Sequence, residues 1–96
     1  MNAKEAKRLT LEVMRKNRPM IDGFIYLIKA EIEKMIAIEE FSLSLGKIKI
    51  DMNQDEFALV RFFMEEEGYE FNNKYFGGNG KNYHHFDITW GKEDVD

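Results

Sequence analysis

Between Met20 and Ile38 the apolar residues Ile21, Phe24, Ile25, Ile28, Ile32, Met35 and Ile36 recur at intervals of three and four. That spacing lays them along one broad side of an α-helix of about five turns. A strand cannot use the same pattern, because its side chains change face at every residue. A helix with so wide an apolar side has to bury it against another layer, so the remainder of the chain must supply that layer. Pro19 marks the entry: its ring suits the first turn of a helix, where a missing N–H costs nothing, and the chain bends at Arg18-Pro19.

Upstream, Asn2 can cap a helix running from Ala3 to about Asn17, with Glu5 placed to reach back to the cap. Its inward face is read as Ala6, Leu9, Val13 and Met14, with Leu11 off that face. Downstream the period switches to two: Phe41, Leu43 and Leu45 alternate with Ser42 and Ser44, the pattern of a strand with one buried side. Past Gly46 the apolar residues are Ile48 and Ile50, a slip of one, and a bulge at the glycine is the expected cause. Asn53 with Glu56 opens a third helix, whose inward face is Phe57, Val60, Phe63 and Met64 and which ends at Gly68. Tyr69 and Phe71 on one side and Phe86, Ile88 and Trp90 on the other flank Gly77-Gly78-Asn79-Gly80, as in a hairpin with a long glycine-rich loop. The expected fold is a small single α+β domain of order ααβαββ. Its three-stranded, mainly antiparallel sheet packs against helices over residues 1–90, and 91–96 form a loose acidic tail.

Ninety-six residues are enough for one core and too few for two. With 44% apolar residues, eight Phe, four Tyr and one Trp against a net charge of −4, the composition is that of a folding chain, not a disordered one. The absence of Cys removes disulfides, thiolate zinc sites and cysteine nucleophiles together, and suits a reducing compartment. Apolar runs such as Met20 to Ile28 are broken by Asp22 and Gly23, too short to span a bilayer, and the N-terminus carries Lys and Glu where an export signal needs apolar residues. A cytoplasmic protein is expected, in the host cytoplasm if phage-encoded.

No catalytic apparatus is recognisable, and the chain is read as a non-enzyme without cofactor or metal. Gly80-Lys81 invites comparison with a phosphate-binding loop. That motif needs a glycine where Tyr75 stands, a hydroxyl residue where Asn82 stands, and a helix behind it. The glycines are better explained as turn residues with positive φ. His84 and His85 are neighbours, which in a strand point to opposite faces, so both rings do not reach one ion. His84 shares its parity with Phe86 and Ile88, and His85 with Asp87, which suggests a surface pair. Ser42 and Ser44 lack the surroundings of an activated nucleophile.

Charge is the most informative surface property. Residues 1–18 hold Lys4, Lys7, Arg8, Arg15, Lys16 and Arg18 against Glu5 and Glu12, which leaves +4, whereas the remaining eight basic and sixteen acidic residues leave −8. The carboxylates gather around the third helix. Glu65, Glu66, Glu67 and Glu70 are the candidate partner-facing charges, able to raise the rate and selectivity of association with a basic protein surface. Leu27 and Ile38 on the second helix and Phe62 on the third exceed what one inward stripe requires, and predict a homo-oligomer interface.

Asn2-Ala3-Lys4-Glu5-Ala6 at the start, Glu66-Glu67-Gly68-Tyr69 closing a helix into a strand, and Asp87-Ile88-Thr89-Trp90 near the end resemble small phage and prophage accessory proteins of unknown function. In many of these an Ala-Lys-Glu-Ala helix opens the chain, a helix ends in Gly-Tyr, and a last strand finishes in Ile-Ser-Trp. Here Thr89 stands for the Ser, and six residues follow Trp90. The resemblance implies no catalytic residue; it implies a setting in which small acidic proteins bind and disable host machinery. Three functions compete. The first is a noncatalytic phage-type interaction protein that binds a host protein stoichiometrically, such as a defence component. The second is an oligomer that sequesters a small nucleotide-like ligand with Arg15, Lys81, Tyr83 and His85. The third, ranked last, is nucleic-acid binding through the basic first helix, against which the net acidity of the chain argues.

Overall fold

The computed structural model describes residues 1–73 and 82–91 of the chain. The glycine-rich loop with Lys81, and residues 92–96 of the acidic tail, lie outside the described residues. Helix α1 spans Ala3–Lys16 and α2 spans Met20–Ala37, followed by strand β1 at Ser42–Ser44. Helix α3 (Gln54–Glu66), β2 (Glu70–Asn73) and β3 (Phe86–Thr89) complete the α+β domain in the order ααβαββ. The three strands form one antiparallel sheet with β3 in the middle, between β1 and β2. Because β1 and β2 both oppose β3, they are parallel to one another, and α3 is the crossover of a split β-α-β unit.

Register decides which residues meet the helices. Leu43 and Phe71 both face Ile88, and all three are buried on the helix side of the sheet. The alternate positions Ser42, Thr89 and Glu70, with Ser44, Asp87 and Asn72, make a polar outer face. Ile21, Ile25, Ile28 and Ile32 give α2 its buried side, whereas Phe24 and Met35 of the same expected stripe are half-buried and Ile36, past the edge of the core, is 55% exposed. Helix α3 contributes Phe57, Leu59, Val60, Phe63 and Met64. Phe57 is the hub of an aromatic cluster, with ring centroids 5.9 Å from Phe71, 6.3 Å from Tyr83 and 5.1 Å from Phe86.

Three sequence expectations are corrected. On α1 the side turned to the body carries Leu11 and Met14, both half-buried, while Leu9 and Val13 are 44% and 58% exposed. On the same side as Leu11, Arg8 and Arg15 reach Glu66 and the Phe63 ring. No residue of α1 is fully buried, so apolar spacing alone does not choose its face. At Gly46 the slip of phase is made by a 3-10 turn, Leu45–Lys47, and not by a bulge. This turn packs on a second one, Tyr83–His85, so closely that a Cβ at Gly46 would stand 2.9 Å from the His84 carbonyl oxygen. The same second turn takes His84 and His85 out of β3, so the strand parity assigned to His84 does not hold: Tyr83 is buried and His84 is exposed, its ring 3.9 Å from that of Tyr83.

Candidate functional site

The candidate acidic residues stand where α3 ends. Consecutive residues of a helix are turned about 100° apart, so Glu65, Glu66 and Glu67 splay in three directions. Glu65 lies 3.4 Å from Arg61 on the same helix, Glu66 lies 3.6 Å from Arg8 of α1, and Glu67 accepts a 2.8 Å hydrogen bond from Lys29 of α2. Glu70 is exposed on the outer face of β2, opposite Thr89. Part of the two-ended charge of the sequence is therefore spent inside the molecule, where basic α1 lies on acidic α3. Each of these exposed pairs contributes less than about 1 kcal/mol, and the carboxylates stay open to solvent.

Their position is unfavourable for the helix itself. A helix C-terminus carries partial negative charge and prefers cations, yet the last turn of α3 contains no basic residue. The chain leaves that helix through a Schellman turn: the Gly68 N–H donates to the Glu65 carbonyl at 3.0 Å and the Tyr69 N–H to the Met64 carbonyl at 3.2 Å. Gly68 has φ +100°, a conformation that glycine adopts without strain. The turn delivers Tyr69 beside Trp90, their centroids 6.3 Å apart and their planes at 76°. Trp90 is held there because its N–H donates to the Phe41 carbonyl at 3.1 Å, which prolongs the contact between β1 and β3.

These residues line a groove of 330 Å³. Ile32 and Ile36 of α2 form one wall, Glu67, Gly68 and Tyr69 the other, and Trp90 with Gly91 the end. Ile36 is 55% exposed, and Tyr69 and Trp90 are half-buried. Two aromatic rings, a branched aliphatic and a carboxylate-bearing residue in one concavity can receive an apolar side chain together with a cation. Of the groove residues only Glu67 is among the site candidates read from sequence. Trp90 and Tyr69 read there as strand residues, and the signal that could have found them is the Gly-Tyr exit from α3.

The other candidates do not converge. Arg15 donates to Asp22 at 2.6 Å and lies 4.6 Å over the Phe63 ring, in a cleft shared with Arg8, Glu12, Glu66 and Glu67. Tyr83 lines a different, 150 Å³ cleft with Asp51, Asn53, Gln54, Asn82 and His84. Its hydroxyl donates to the Ile50 carbonyl, and burial, followed by the nearby Asp51 carboxylate, holds its phenol above the ordinary value of 10.0. His85 is half-buried in the 3-10 turn, and Lys81 lies outside the described residues. Leu27 and Ile38 are both exposed on α2, whereas Phe62 is half-buried in a 350 Å³ cleft between α1 and α3, so the three do not share a surface. Among the described residues, no group of three His, Asp or Glu side chains is placed to hold a metal ion, and no helix is long and apolar enough to cross a membrane. Compared with protein-family models, curated proteins and solved structures, the chain matches none.

Proposed function

We propose that this chain is a noncatalytic binding protein that captures another protein stoichiometrically at the groove between α2, the exit of α3 and the end of β3. The observation that carries this function is the meeting of Tyr69, Trp90 and Ile36 with Glu67 in one concavity. Such a mixture of aromatic anchors with a flanking charge is the chemistry of an interface hot spot. The segment that fits has a Lys or Arg beside an apolar side chain, the apolar group seated against Trp90 and Tyr69, the cation sharing the exposed Glu67 carboxylate with Lys29. Glu66 on the α1 side and Glu70 on the outer face of β2 flank the exit of α3 without lining the groove, and their charge favours fast association with a basic surface over a longer range. Retaining carboxylates at a helix end that prefers cations is the kind of local conflict that functional sites tolerate. The resemblance to phage and prophage accessory proteins supports a host protein as the partner, a defence component among the candidates.

Trp90 is the only tryptophan of the chain, so its emission reports on the groove alone. Titration with amphipathic peptides that carry Lys or Arg among apolar residues is expected to shift and saturate that emission. The effect should weaken as salt rises and disappear in Glu67→Lys. Acidic peptides of the same apolar content should do nothing. If the basic peptides leave the emission unchanged, or if basic and acidic peptides act alike, the groove does not have the proposed role.

A further inference from the structure

On α2, Met20, Phe24, Leu27, Glu31, Lys34 and Ile38 follow one another at intervals of three and four, so they line one side of the helix and its C-terminal cap. Met20, Leu27 and Ile38 are 49%, 49% and 63% exposed, and Phe24 is only half-buried. The interruption in the middle is neutral overall, because Lys34 donates to Glu31 at 2.9 Å. Ile32 and Ile36, which wall the groove, lie about 80° or more around the helix from every residue of this stripe. The stripe and the groove are thus separate surfaces.

The ends of the stripe carry opposite charge. Lys16 and Arg18 stand exposed where α1 passes into α2, and Glu39 and Glu40 stand exposed where α2 ends. A surface with apolar side chains at Met20, Phe24, Leu27 and Ile38, a neutralised Glu31–Lys34 pair between them, and basic residues at one end and acidic residues at the other is complementary to itself turned end for end. A two-fold axis brings the same patch of two copies together in that way. We infer that the Met20–Ile38 stripe of α2 pairs with the same stripe of a second copy, antiparallel, to form a homodimer. Met20 then meets Ile38 of the second copy, Phe24 meets Lys34, and Leu27 meets Glu31 close to the axis. Phe24 can take the ammonium of Lys34 on its ring face. Lys16 and Arg18 of each copy lie near Glu39 and Glu40 of the other. Phe62 has no part in this interface, and each dimer presents two free grooves.

The test uses the whole chain and the fact that it contains no cysteine. Light scattering after size exclusion at micromolar concentration is expected to give twice the 11.4 kDa chain mass. Leu27→Asp should weaken association about thirty-fold or more, the loss typical of a central anchor, and Ile38→Asp, at the end of the stripe, should weaken it independently by a smaller factor. Circular dichroism should stay unchanged, since both side chains are exposed in the monomer, and the melting temperature should fall to that of the native chain diluted below its dissociation constant and no further. Reversing Glu39 and Glu40 to Lys should weaken the dimer, and reversing Lys16 and Arg18 to Glu in the same chain should restore it. Direction is read by oxidation: a mixture of a Met20→Cys chain with an Ile38→Cys chain should give the mixed disulfide, because the paired Cα atoms must come within about 7 Å. A monodisperse species at the chain mass, a dimer indifferent to both aspartate substitutions, or preferential Met20→Cys self-cross-linking, which reports a parallel pair, each overturns the inference.

Discussion

Tyr83 joins the two halves of the chain through a single oxygen. Its hydroxyl donates to the Ile50 carbonyl while its ring packs on Phe57, so it ties the second 3-10 turn to the segment that leads into α3. Removing one buried neutral hydrogen bond costs about 1 kcal/mol, which is the expected effect of Tyr83→Phe at neutral pH. Folding raises this phenol above 10.0, because burial and then Asp51 both disfavour its anion. A group whose folded value lies above its unfolded one contributes its full stability below the unfolded value. That contribution is lost as pH rises through the higher folded value. Above pH 10.0, the native chain should therefore lose stability faster than Tyr83→Phe, and parallel denaturant titrations at a series of alkaline pH values measure the difference. Gly46 is constrained as tightly. With the His84 carbonyl oxygen 2.9 Å from where a Cβ would stand, Gly46→Ala should cost about 1–3 kcal/mol by forcing the two turns apart. Gly23→Ala, with nothing within 4 Å, should instead stabilise α2 by roughly the difference in helix propensity, ~1 kcal/mol.

Among the elements, α2 and α1 differ in how they are held. Ile28 is fully buried, so Ile28→Ala should cost about 2–5 kcal/mol in equilibrium unfolding. Leu9→Ala and Val13→Ala should change stability by no more than about 0.5 kcal/mol, because these side chains face solvent. Leu11→Ala, on the side that meets α3, should exceed both. The reverse order, with Leu9 and Val13 costly and Leu11 neutral, would mean that α1 docks by the face its apolar spacing suggests. The core side of α2 and the limits of α3 are legible in the sequence for physical reasons. Ile21, Ile25, Ile28 and Ile32, at helical period, mark the burial face, though the flanking Phe24 and Ile36 of the same run are left half-buried and exposed. Asn53 with Glu56 forms the reciprocal capping box, both bonds at 2.8 Å. The orientation of α1 is not legible, because it shows only in contacts such as those of Arg8 with Glu66 and Arg15 with Phe63, between residues some fifty positions apart. The 3-10 turns are hidden for a similar reason. Alternation at Phe41 to Leu45 and at His84 to Ile88 looks continuous until Gly46 and His84 compete for the same space. The groove is only half legible: Glu67 stands out by charge, whereas Trp90 joins it only once β3 is set between β1 and β2.

At the scale of the molecule, the contrast between a +4 N-terminal segment and a −8 remainder has two destinations. Some of it is neutralised where α1 rests on α3, through Arg8 and Glu66, and some stands exposed at the exit of α3 beside two aromatic rings and at the end of α2 with Glu39 and Glu40. Helices cover one face of the sheet, the opposite face is polar, and the groove opens at the edge where the two meet the end of β3. In the proposed dimer the α2 stripes are buried and both grooves remain open, so self-association and partner capture are independent. Dimer-breaking Leu27→Asp should leave the Trp90 response to basic peptides intact, whereas Glu67→Lys should abolish that response without altering the mass in solution. The most direct measurement of partner capture is a backbone amide shift map recorded while a Lys- or Arg-bearing amphipathic peptide is added to the isotopically labelled chain. Saturable shifts concentrated at Ile32, Ile36, Glu67 to Tyr69 and Trp90, with the cleft beside Tyr83 unmoved, are the predicted result. Shifts centred on α1 or on the Tyr83 cleft, or none at the groove, would contradict it.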